Sequence, residues 1–104
     1  MIEKLKKLAE MQNQLAIQAY SAYLPLVDDI IKSKQTDLMQ IERTLDGLLD
    51  FCFDPKMLML YRRLCRYLYD IDKESTAYYV NAYQEMWDEE GKLFGNKNEK
   101  ENME

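Results

Sequence analysis

The sequence predicts an all-α protein, a small antiparallel bundle of about four helices followed by a flexible, polar, acidic C-terminal tail. Three observations predict it. Apolar residues return every three or four positions over most of the 104-residue chain, which is 47% hydrophobic. Only three Gly and two Pro interrupt that pattern. The polar interruptions that do occur carry helix-capping residues at their ends.

The first helix begins near Ile2. A three-four spacing runs through Ile2, Leu5, Ala9, Gln12, Ala16, Ala19, Tyr23, Leu26 and Ile30, which is one seam on a helix surface. Pro25 lies inside it, so a kink or break is expected there, because proline lacks the N–H that the carbonyl four residues back requires. Residues 1–11 are amphipathic, with Lys4, Lys6 and Lys7 opposed to Ile2, Leu5 and Leu8. Glu3 and Glu10 on the polar side favour packing on the bundle or on another chain over a lipid surface.

Lys32, Ser33, Lys34, Gln35, Thr36 and Asp37 form the first polar run and are taken as the first turn. Thr36 or Asp37 can cap the next helix, with Gln40 as the reciprocal partner. A single helix from Leu26 to Cys52, with the turn at Pro25, also fits the spacing, so both turn positions stay open. Leu38, Ile41, Leu45, Leu48 and Cys52 make one apolar face. Asp54 followed by Pro55 is an N-cap with proline at the first helical position. Behind it Met57, Leu60, Tyr61, Leu64, Leu68 and Ile71 form a stripe. A last helix follows Asp72, with Ala77, Val80, Tyr83 and Trp87 as its inner face, Tyr79 and Met86 flanking, and Gly91 and Gly95 as stops. Residues 1–95 are thus read as one helical domain. Residues 96–104 have almost nothing to bury and are read as the flexible tail.

Composition narrows the function. No histidine is present, which removes His-based triads and the common zinc and di-iron enzyme sites. Cys52 and Cys65 flank the Asp54 turn, about 15 Å apart along the helix axis, beyond the ~7 Å that a disulfide spans. Two reduced thiols and a start without a signal-like apolar stretch point to the cytoplasm. No apolar run approaches the ~18 residues of a membrane span. The balance of 14 basic to 19 acidic residues argues against nucleic acid as the partner. No Gly-rich phosphate loop occurs, and neither a cofactor nor a metal site is expected.

Residues 68–83, from Leu68 through Tyr78, Tyr79 and Ala82 to Tyr83, resemble the junction between successive tetratricopeptide repeats. The likeness occurs once, with no second copy at the roughly 34-residue period of that family, so it reflects shared helical-hairpin chemistry. Glu85 and Asp88 stand three apart, a spacing that resembles the Glu-x-x-Asp element of the all-α nucleotide pyrophosphohydrolases. The Glu-Glu-x-x-Glu element of those enzymes has no counterpart on the preceding helix. That resemblance implies the alternative function, a carboxylate- and Mg²⁺-dependent domain that binds or hydrolyses nucleotides.

The leading expectation is a non-enzymatic protein–protein interaction module: an adaptor, an inhibitor or a small assembly subunit. On the third helix, 100° per residue puts Met59, Arg62, Arg66 and Tyr69 on the side opposite the core. Met, Arg and Tyr are the residue types that anchor interfaces. A second acidic patch, Glu85, Asp88, Glu89 and Glu90, sits where the helix dipole disfavours negative charge and would suit a basic partner. The small and polar members of the first seam would bury little against a lone bundle, so a homodimer through the first helix is expected.

Overall fold

A computed structural model describes residues 2–88 of the chain. Four α-helices occupy them, α1 (Ile2–Lys32), α2 (Leu38–Leu49), α3 (Pro55–Tyr69) and α4 (Lys73–Trp87), and no strand occurs among the described residues. The proposed tail, the boundary at 95, the stops at Gly91 and Gly95, and Glu89 and Glu90 all lie outside the described residues.

Each turn is set by an aspartate. Asp37 accepts from the N–H groups of Met39 and Gln40, Asp54 from those of Lys56 and Met57, and Asp72 from that of Ser75. Each N-cap satisfies donors that would otherwise be orphaned at a helix start. The first turn therefore falls at the polar run. It closes on Lys34, whose φ of 55° is left-handed, with Gln35 N–H donating to the Ile30 carbonyl and Lys34 N–H to that of Ile31. That pairing is a Schellman motif built on a lysine where glycine is usual. Of the kink or break expected at Pro25, the break does not occur, for α1 runs on to Lys32. Pro25 and Ser21, four residues back, both face outward, so the carbonyl left without a donor is on the exposed side of the helix.

α3 is the central element and packs against α1, α2 and α4. Its contacts fix the directions of its neighbours. Arg63 pairs with Asp28 at 2.8 Å and the Tyr67 hydroxyl donates to the Gln35 carbonyl, so α1 runs alongside α3 in the same sense. Ser75 and Tyr79 reach Glu42 and Asp46, while the Trp87 indole N–H donates to the Leu49 carbonyl at 2.8 Å, so α2 and α4 share the other sense. The result is an antiparallel bundle around Val27, Ile30, Ile41, Leu45, Leu48, Met57, Leu60, Tyr61, Leu64 and Leu68, all fully buried. Gly47 allows α1 to press on α2, since a Cβ there would overlap the Tyr23 phenol.

Two expectations are corrected. The inner face of α4 is Thr76, Tyr79 and Tyr83 with Val80 half-buried; Ala77 and Trp87 are exposed. Burial follows the tyrosine hydroxyls: Tyr79 donates to Asp46 Oδ1 at 2.9 Å, and the Tyr61 hydroxyl donates to the Tyr79 carbonyl at 2.8 Å. These bonds remove the cost of burying polar atoms and select this face over the Ala77 side. The seam on α1 is also only half used. Ala16, Ala19, Tyr23 and Ile30 pack on the bundle and Leu26 stays exposed, whereas residues 2–15 extend past the bundle and are all exposed. The reason is length, because α1 has 31 residues and its neighbours 12 to 15.

Candidate functional site

The outward line on α3 borders an open cleft of about 620 Å³ between α3 and the start of α4. All four sequence-derived residues, Met59, Arg62, Arg66 and Tyr69, line it. Arg63, Cys65 and Asp70 join them from α3 and its C-cap, and Thr76 and Val80 form the α4 wall. The four come together because they fall at three- and four-residue steps on one helix; the opposite side of α3 is held in the core by Leu60, Leu64 and Leu68. Met59 is 63% and Tyr69 51% exposed, so two large side chains stand in solvent at the rim.

The three arginines differ. Arg63 is committed to Asp28 of α1. Arg62 also acts on Tyr83, outside the cleft lining: burial raises the Tyr83 phenol first, the Asp88 carboxylate adds to that, and the Arg62 guanidinium lowers it. Arg66 has no ion-pair or hydrogen-bond partner among the described residues, although Asp70 stands four residues on, at ion-pair spacing. The Lys73 ammonium lies over the Tyr69 ring, 5.3 Å from its centre, and adds positive charge there. A cleft with a cationic α3 wall, an uncharged α4 wall at Thr76 and Val80 and two exposed anchor side chains can hold an anionic segment that also carries an apolar group.

Of the acidic patch, Glu85 and Asp88 are among the described residues. Glu85 is exposed, whereas Asp88 is half-buried as the C-cap of α4, near Tyr83. Glu42, Asp46 and Asp72, further carboxylates that a metal-dependent site could draw on, are engaged in hydrogen bonds at α4: Glu42 accepts from Ser75, Asp46 from Tyr79, and Asp72 caps α4. No group of three or more Asp, Glu, Cys or His converges to hold a metal ion among the described residues. Cys52 and Cys65 are free and buried. Burial pushes the Cys52 thiol up to about 12, with Cys65 and Asp50 adding to it, and burial alone takes Cys65 to about 12. Both are therefore protonated, weak nucleophiles at neutral pH.

Sequence reasoning missed the α4 wall of the cleft. Its only local signal is Val80, which was assigned to the core face. No helix of the described residues is long and apolar enough to cross a membrane. Compared with family models, curated proteins and solved structures, the chain matches none. The fold and the cleft define its class on their own: among the described residues, an all-α four-helix unit with a cationic surface cleft.

Proposed function

We propose that the protein is a non-enzymatic interaction module whose α3–α4 cleft receives an acidic segment of a partner protein. The observation that supports this most is the cleft itself, where Arg66 stands uncommitted between exposed Met59 and Tyr69 and the α4 wall, Thr76 and Val80, is uncharged. The segment would set a carboxylate on Arg66 and an apolar side chain against Met59 and Val80. Guanidinium–carboxylate bonding supplies the orientation and apolar burial the affinity. Two reduced, buried thiols suit a cytoplasmic setting, and self-association through α1 belongs to the same reading.

The test is an amide-resolved NMR titration with three short peptides of equal apolar content, one acidic, one neutral and one basic. The acidic peptide should shift amides from Met59 to Tyr69 and from Thr76 to Val80, with an affinity that falls as salt rises. Shifts located elsewhere, or equal binding of all three peptides, would exclude the cleft. A rise in melting temperature with Mg²⁺ and a nucleotide would favour the hydrolytic alternative, since ligand at 100 times its Kd adds about 2.7 kcal/mol of stability.

A further inference from the structure

We infer that residues 2–15 of α1 pair, antiparallel, with the same residues of a second copy, giving a two-headed molecule with one cleft at each end. The inference rests on the reading above for what the heads do; the pairing stands on separate observations. Residues 2–15 extend about 21 Å past the bundle at 1.5 Å per residue. Ile2 is 72%, Leu8 57% and Leu15 53% exposed, and Leu5 and Met11 are exposed as well. Most helix stability in a protein comes from packing an apolar face, and this stretch has none packed. A partner that covers the apolar strip is what makes it stable.

Leu5, Leu8, Gln12 and Leu15 recur at three-four-three spacing, which is the seam of a two-helix coil with one polar position. Glu3, Lys6, Lys7 and Glu10 fall on the other side. Leu5, Leu8 and Leu15 face the partner, with Ile2 and Met11 on opposite flanks; at roughly 100 Å² of exposed surface each, a pair of copies covers about 600–1,000 Å², the size of a weak, reversible interface. Direction follows from the bundle. The strip lies only about 50° around the helix from the face that packs on the bundle from Ala16 onward. A parallel partner running past Ala16 would therefore meet α3. An antiparallel partner avoids this and keeps the bundles at opposite ends. Two joined heads bind a partner carrying two acidic segments far more tightly than one head does.

Sedimentation equilibrium of the full chain over about 1–300 µM tests this. The expected result is a monomer–dimer equilibrium in the micromolar range. The double variant Leu5→Glu/Leu8→Glu should weaken it at least 100-fold with an unchanged melting temperature, and Gln12→Leu should tighten it about tenfold. Oxidised Ile2→Cys should give no homodisulfide, because the two ends lie apart. A chain that stays monomeric, or a dimer that survives the double variant, overturns the pairing. Rapid Ile2→Cys cross-linking overturns its direction. A monomer that binds anionic phospholipid vesicles, and loses that binding in the double variant, assigns the strip to a lipid surface instead. Failure of acidic peptides to bind the cleft would leave the sedimentation result untouched, so the two readings fail separately.

Discussion

At the scale of single residues, the energetics centre on groups held in conformations or surroundings that they would not choose alone. Lys34 adopts the left-handed conformation, which costs an L-residue roughly 1–2 kcal/mol and glycine almost nothing. Its side chain is exposed, and its N–H bond to the Ile31 carbonyl survives any substitution but proline. Lys34→Gly should therefore stabilise the protein by about 0.5–1 kcal/mol, once the greater freedom of glycine in the unfolded chain is subtracted. Urea unfolding with an unchanged m-value measures it. Nothing local in the sequence marks Lys34 for this conformation. It follows from where α1 must stop for Asp37 to cap α2.

At the scale of elements, the caps were legible and the burial registers were not. Asp54 before Pro55, and Asp37 at the end of the polar run, are signals contained within a few residues, and both hold. The inner face of α3 was also readable, because its apolar stripe has no rival. α4 has two rival faces that share only Tyr83: Ala77, Val80, Tyr83 and Trp87 against Thr76, Tyr79 and Tyr83. The choice between them is made by Asp46, 33 residues away, which no pattern within α4 can disclose. For α1 the periodicity is continuous from Ile2 to Ile30. Which half is covered depends on the lengths of the other three helices rather than on its own sequence. The outer line of the cleft came from angular arithmetic on one helix, whereas its second wall needed the α3–α4 packing.

Pro25 offers an element-scale prediction. It sits on the exposed side of a helix that continues through it, so it removes a backbone hydrogen bond with no core contact to offset the loss. Pro25→Ala should raise stability by about 1–3 kcal/mol, below or at the full proline penalty in a helix interior. Chemical denaturation and a higher helical circular dichroism signal would show it. A destabilised variant would mean that the proline sets the angle between the projecting arm and the bundle.

At the scale of the molecule, the core couples stability to pH. Burial holds the Cys52 and Cys65 thiols near 12 in the folded protein, against an ordinary value of 9.0. Below pH 9 both thiols are protonated whether the chain is folded or not, and their contribution is fully present. Between about 9 and 12 the unfolded chain releases protons that the folded chain keeps. Stability must then fall, by up to about 1.4 kcal/mol per pH unit for each thiol. Tyr61 and Tyr79 are raised by burial too, Tyr79 also by its bond to Asp46, and add to the loss at higher pH. Urea midpoints should be flat from pH 7 to about 8.5 and decline above 9. Cys65→Ala should flatten that decline, although its lost volume lowers the whole curve.

The same scale holds the functional claim, that a cationic cleft on α3 and α4 receives an acidic segment. Its most direct measurement is a charge swap at Arg66, which is exposed, pairs with nothing among the described residues and lies outside the core. Arg66→Glu should leave the melting temperature unchanged within the ~0.5 kcal/mol typical of surface substitutions. Affinity for an acidic peptide with one apolar anchor should fall by about 30-fold or more, and a peptide with lysine in place of its central glutamate should regain binding to the variant. Equal affinity of wild type and Arg66→Glu for the acidic peptide, with both proteins equally stable, would contradict the account.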